Sequence, residues 1–241
     1  MCYHVAVTSS REVFENRFDA EFEPETELKP YYHANGYTYP GLPVIINSEP
    51  NKIHLANWGL IPHFARTEED RAKYRKGNLN SRSDTVFELS SFKKPILEKR
   101  CLVLADGFYE SMDVNGKKYP YYIYRKDRVP FAFAGIYTNW KSPTGEWVRS
   151  FAIMTCDSIG MMSKIHNLKL RMPVILPPDK ERNWLKTDLL VDEVKDLMLP
   201  LEDGILTAHP VNSDLNKAKV YTNEPWIQEV FEYPELVDAL A

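Results

Sequence analysis

What most narrows the architecture of this chain is a succession of β-strand signals between residues 101 and 155, joined by short turns. Cys101-Leu102-Val103-Leu104-Ala105 is an unbroken apolar run of strand length and reads as a fully buried central strand. It breaks at Asp106-Gly107, and the chain resumes as Phe108-Tyr109-Glu110-Ser111-Met112. Asn115-Gly116 is a strong hairpin dipeptide, leading into strands over 119–125 and 131–137. A turn at Pro143-Thr144-Gly145 then opens a strand over 147–155. This succession is an antiparallel meander whose aromatic residues belong to its core.

Around the meander, alternation in Tyr3-His4-Val5-Ala6-Val7 predicts a first strand. Ser9 and Glu12 have the capping-box spacing for a helix running to about Phe18. Residues 19–30, with five acidic side chains, Pro24 and Pro30, read as a solvated connection. Strands follow at 43–47 and 52–58, the second ending in the apolar corner Trp58-Gly59-Leu60-Ile61-Pro62. Asn78 to Thr85 is loop-like, and Ser83 can cap a helix through Val86 and Phe87. A short helix over 157–164, a buried strand through 172–176, helices over 177–184 and 192–199, and a strand over 205–211 complete the reading. There is no repeat, low-complexity segment or convincing linker, so residues 1–241 are expected to form a single domain.

The net charge of −4 excludes a protein that coats nucleic acid over its whole surface, so phosphate binding must come from a local patch. Residues 71–82 supply the best candidate, with five basic side chains and no acid, although so short a run, preceded by Glu68, Glu69 and Asp70, reads more readily as a solvated helix face. The three cysteines, Cys2, Cys101 and Cys156, are far apart and have no histidine at metal-ligand spacing, so neither a disulfide framework nor a metal site is expected. No apolar run would span a bilayer, and the start lacks a secretory signal pattern; a cytoplasmic protein without a membrane partner is expected.

Three positions carry chemistry. Removal of Met1 would leave Cys2 as an amino-terminal 1,2-aminothiol, whose amine (pKa near ~8) and thiol (near ~8.5) are both nucleophilic at neutral pH. Such a terminus suits an aldehyde, because the amine forms a Schiff base and the thiol closes it to a thiazolidine. It could also attack a peptide carbonyl, or Cys2 could simply begin a buried strand. Glu110, on the strand face of Phe108, is a candidate for a raised pKa or else an exposed ion-pair partner. His166, between an apolar residue and a basic loop, is a catalyst or a hydrogen-bonded structural histidine.

Taken together, six stretches resemble the abasic-site-processing family, also called the SOS-response-associated peptidase family. They are Met1-Cys2, Pro40-Gly41, Trp58-Gly59-Leu60-Ile61-Pro62, Asn80-Ser81-Arg82-Ser83-Asp84-Thr85, the run from Arg100 to Glu110, and Ile165-His166 with Arg171-Met172-Pro173-Val174-Ile175-Leu176. The resemblance covers about residues 1–215, leaving 216–241 as a C-terminal extension. It implies a single α+β domain with a curved, partly barrel-like antiparallel sheet flanked by helices, and a cleft for single-stranded DNA. It implies Cys2 as nucleophile, Asn80 hydrogen-bonding near the amine or thiazolidine, Glu110 as acid and base, and His166 assisting. Arg82 would bind phosphate, with Pro40, Trp58 and Arg171 also at the DNA. No cofactor is implied.

The chain departs from the family's usual pattern at His4, where an Arg is usual, at Ser111, where a Trp follows the glutamate, and at Asp84, where a Glu is usual. Three extra residues separate His166 from Arg171. These departures bear on DNA affinity more than on covalent chemistry. The function implied is DNA repair by a covalent cross-link to abasic sites in single-stranded DNA, with a lyase-like capacity through the same Schiff base. Alternatives are a cysteine-type peptidase acting on its own initiator methionine, and a non-catalytic single-stranded nucleic-acid-binding domain.

Overall fold

The computed structural model describes residues 2–236. The chain opens with β1 (His4–Val7), α1 (Arg11–Phe18), β2 (Glu21–Phe22) and β3 (Tyr31–Asn35), then β4 (Gly41–Ile46) and β5 (Glu49–Trp58). After α2 (Glu68–Gly77), β6 (Asn80–Arg82) and α3 (Pro95–Glu98) comes the meander. It consists of β7 (Arg100–Ala105), β8 (Gly107–Val114), β9 (Lys117–Arg125), β10 (Phe131–Lys141) and β11 (Trp147–Asp157). The remainder is α4 (Gly160–Ile165), β12 (Arg171–Pro173), β13 (Ile175–Leu176), α5 (Pro178–Trp184), α6 (Val191–Asp196) and β14 (Leu206–Pro210).

The strands form two sheets that share one large core. One runs β14-β9-β8-β1-β3; the other runs β12-β11-β10-β7-β4-β5-β2. The second closes on itself, because β11 also pairs in parallel with β5, setting Phe151 beside Trp58. The result is a five-stranded barrel, β5-β4-β7-β10-β11, with helices outside it. This α+β architecture is the one expected. Cys101 to Ala105 lie in the barrel wall and are all buried, as an apolar run without alternation requires. At the β8–β9 turn, Asn115 and Gly116 both take positive φ (54° and 82°), the geometry that makes this dipeptide a hairpin signal.

Several local expectations are corrected by tertiary partners. The helix α1 is capped by Ser10, whose hydroxyl accepts from the Val13 amide, not by Ser9. Ser9 is instead engaged by Asp106, whose carboxylate accepts from the amides of Thr8 (2.6 Å) and Ser9 (2.9 Å). The connection over 19–30 contains β2, where Phe22 is buried beneath the Arg11 guanidinium. Residues 83–89 form turns, not a helix capped by Ser83. Among the described residues no helix is long and apolar enough to cross a membrane.

Arg100 is wholly buried, and among the described residues it forms no ion pair. It donates instead to the carbonyls of Ile96, Leu97, Trp184 and Lys186, holding the ends of α3 and α5 against the barrel. A buried cation is tolerable when its donors are satisfied in this way.

Candidate active site

Cys2 lies immediately before β1, a strand flanked on one side by β8 and on the other by β3. The pairing of His4 with Tyr109 brings the start of β1 beside Glu110, the next residue along β8. Cys2 is fully buried, and its Sγ reaches the His4 carbonyl at 3.7 Å. Burial, reinforced by the Glu110 charge, pushes the thiol well above its ordinary pKa. Met1, whose removal the aminothiol requires, lies outside the described residues.

Asn80 arrives from the other sheet. Strand β6 runs parallel to β11, with Asn80 opposite Ile153, and the Asn80 Nδ2 donates to the Cys2 carbonyl at 2.8 Å. Among the described residues its Oδ1 is buried without a hydrogen-bond partner. An unsatisfied buried acceptor costs about 1–3 kcal/mol, and a donor brought to it would recover that cost.

Glu110 is only 8% exposed, and burial pushes its carboxyl up to about 7. His166, at the C-terminus of α4, sets Nε2 3.6 Å from Glu110 Oε2. Its Nδ1 donates to the Arg171 carbonyl at 2.8 Å. Burial lowers its pKa to about 4. Near neutral pH the pair is therefore a carboxyl close to its titration point facing a neutral imidazole, which suits a group that must both give and take a proton. The two side chains, with Tyr3, His4, Ser111 and Lys169, line a cavity of about 180 Å³.

Four segments distant in sequence thus bring Cys2, Asn80, Glu110 and His166 together. The residues expected at the DNA are placed differently. Arg82 is half exposed and bidentate on Asp84, with Nε to Oδ1 at 2.9 Å. Trp58 offers no surface: it is wholly buried, stacks on Phe151, and donates from Nε1 to the Leu79 carbonyl at 2.8 Å. That bond, one residue before Asn80, makes Trp58 a support for Asn80. Pro40 is buried too, its carbonyl accepting from the Trp58 amide. Arg171 is 5% exposed and engaged by Asp157 (2.8 Å) and the Thr155 carbonyl (2.6 Å), so it orients His166 through its own backbone. The resemblance implies DNA contact for these three; in the structure their side chains or backbone are engaged within the fold.

The basic stretch is divided as well. Arg71, Lys73, Arg75 and Lys76 ride on α2, with Arg71 paired to Glu68 and Arg75 lying over the Tyr39 ring at 4.0 Å. Sequence reasoning missed Lys118 and Asn216 as cavity residues; no local pattern marks either. At the departure His4, Nδ1 is 2.7 Å from His33 Nε2, and His33 Nδ1 is 2.6 Å from Thr222 Oγ1.

The chain resembles known proteins over nearly its whole length. Abasic site processing protein YoaM of Bacillus subtilis is 32% identical over 222 residues, covering 91% of this chain and 94% of that protein. Abasic site processing protein HMCES of Xenopus tropicalis is 35% identical over 199 residues, covering 74% of this chain and 58% of that protein. A crystal structure of a protein from Bacteroides thetaiotaomicron superposes with a TM-score of 0.89 at 35% identity, covering 96% of this chain and all of that one. The family model for SOS response associated peptidase (SRAP) matches residues 1–218, and the chain belongs to that family.

Proposed function

We propose that the protein acts in DNA repair by capturing abasic sites in single-stranded DNA as a covalent thiazolidine on Cys2, after loss of Met1. The observation that carries this reading is the convergence of Cys2 with a carboxyl held near neutrality and a neutral imidazole. Relatives named abasic site processing proteins supply the substrate class.

An abasic deoxyribose is mostly a closed hemiacetal. Protonated Glu110 gives its proton to the ring oxygen as the C1′–O bond breaks and the C1′ hydroxyl yields its proton, leaving the aldehyde. The Cys2 amine attacks the carbonyl carbon, and the carbinolamine loses water to give the imine. The thiol then adds across C=N, sulfur to carbon and proton to nitrogen, closing the five-membered ring. Aldehyde plus aminothiol gives thiazolidine plus one water, with no change in oxidation state. His166 faces Glu110 and can hold its proton between these steps. Asn80 anchors the Cys2 carbonyl and presents its open Oδ1 beside the reacting terminus. Burial of Cys2 disfavours a resting thiolate, so a peptidase at this site would need a base to take the thiol proton during attack.

Intact mass of the denatured mixture with an oligonucleotide carrying one abasic site tests this reading. Expected is the chain lacking Met1 plus the oligonucleotide less one water. A chain that loses Met1 and forms no adduct overturns it.

A further inference from the structure

We propose that residues 217–223 build a nucleotide subsite beside the Cys2 site, in which Tyr221 stacks on the base next to the lesion. The proposal rests on the function proposed above and adds to it a contact outside the reacting centre. A second cavity, of about 440 Å³, adjoins the one at Glu110 and His166: His4, Leu215 and Asn216 line both. A strand of DNA whose abasic sugar sits at Glu110 can therefore lay its neighbouring nucleotide across the shared residues His4, Leu215 and Asn216. The size is in the range of small-ligand sites.

Its lining has the chemistry of a base and its phosphate. Tyr31 and Tyr221 offer rings, Asn35 and Asn223 offer amides, and Lys217 offers a cation. Tyr221 is 69% exposed although the chain around it is fixed. Thr222 Oγ1 bonds His33, Asn223 Oδ1 accepts from the His33 amide at 3.2 Å, and Gln228 Nε2 donates to the Tyr32 carbonyl at 3.2 Å. With the backbone ordered, stacking would have to restrict only the rotation of the ring itself, and aromatic rings are the usual platforms for unpaired bases. Lys217 pairs with Asp214 at 2.6 Å, an exposed contact that a phosphate can replace. The family match ends at residue 218, so the wall from Val220 to Asn223 is built by chain beyond it.

The test uses binding to oligonucleotides with a central tetrahydrofuran, a stable abasic mimic that cannot cross-link. Two further oligonucleotides replace the 5′ or the 3′ neighbour by a second tetrahydrofuran, removing one flanking base. The parent protein should lose roughly tenfold in affinity for one of the two. Tyr221→Ala should lose the same factor on the first oligonucleotide and be indifferent to removal of that base, while Tyr221→Trp keeps parent behaviour. Equal binding of all three by the parent overturns the subsite, as does a Tyr221→Ala defect that is the same on every oligonucleotide. Absence of cross-linking to true abasic DNA by the parent counts against the function itself, and this binding assay reads the subsite independently of it.

Discussion

His166 Nε2 lies 3.6 Å from Glu110 Oε2, while the opposite ring nitrogen is committed to the Arg171 carbonyl. With Nδ1 carrying its proton, Nε2 presents a lone pair to the carboxyl; burial keeps the imidazole neutral and holds the carboxyl near its titration point at neutral pH. The separation is longer than a hydrogen bond, which leaves room for the pair to tighten once substrate fills the cavity.

Glu110→Gln should retain affinity for single-stranded DNA yet slow cross-linking by about a hundred- to ten-thousand-fold, the range for removal of an acid or base. His166→Ala should show a milder defect. Single-turnover adduct formation on denaturing gels measures both, and a parent-like rate in Glu110→Gln would remove the carboxyl from the mechanism.

The same carboxyl has a stability signature. Its folded pKa of about 7 exceeds the ordinary 4.5, so its contribution is fully present below 4.5 and is lost as pH rises through 7. Above that, the buried carboxylate costs on the order of 3 kcal/mol. Glu110→Gln should therefore melt several degrees above the parent at pH 8, with the difference vanishing toward pH 4.5. His166, lowered to about 4, works in the other direction, its contribution being lost as pH falls from 6.5 to 4. Thermal melts across pH 4 to 9 display both windows.

Much of this was legible locally. Asn115-Gly116 announced its turn because only residues tolerant of positive φ fit there, and Cys101 to Ala105 announced burial by lacking alternation. Barrel closure was not legible: Trp58 meets Phe151 across ninety-odd residues, and nothing near either one encodes the other. For the same reason the sequence did not disclose that Leu79 engages Trp58 and Asp157 engages Arg171, two residues that the resemblance implies at the DNA. Ser9 misled because Asp106, a distant residue, supplies its partner. Cys2, Asn80, Glu110 and His166 were found as a set only through resemblance, since no one of the four segments is distinctive by itself.

Arg82 and Asp84 should have opposite effects on DNA. Arg82→Ala removes one exposed cation and should weaken binding to all sequences alike, flattening the salt slope by about 0.7. Asp84→Asn releases the guanidinium from its bidentate partner and should strengthen binding modestly. Titrations from 50 to 200 mM salt separate the two, and a slope unchanged in Arg82→Ala would mean that phosphate is bound elsewhere.

The terminus gives the most specific forecast. If sulfur closes the ring, the parent adduct survives heat and denaturant without reductant, because the labile imine has been replaced by a carbon–sulfur bond. Cys2→Ser keeps the amine but closes to a much weaker oxazolidine, so its adduct should appear only when borohydride traps the imine. Cys2→Ala should behave likewise, and both should require loss of Met1, which intact mass reports. Acetylating the α-amine should abolish every product, with or without borohydride. Small side chains at this buried position also test packing, since Cys2 contributes to the main core and Cys2→Ala leaves only a small void there. An adduct equally heat-stable in Cys2→Ala would show that the thiol takes no part in the linkage.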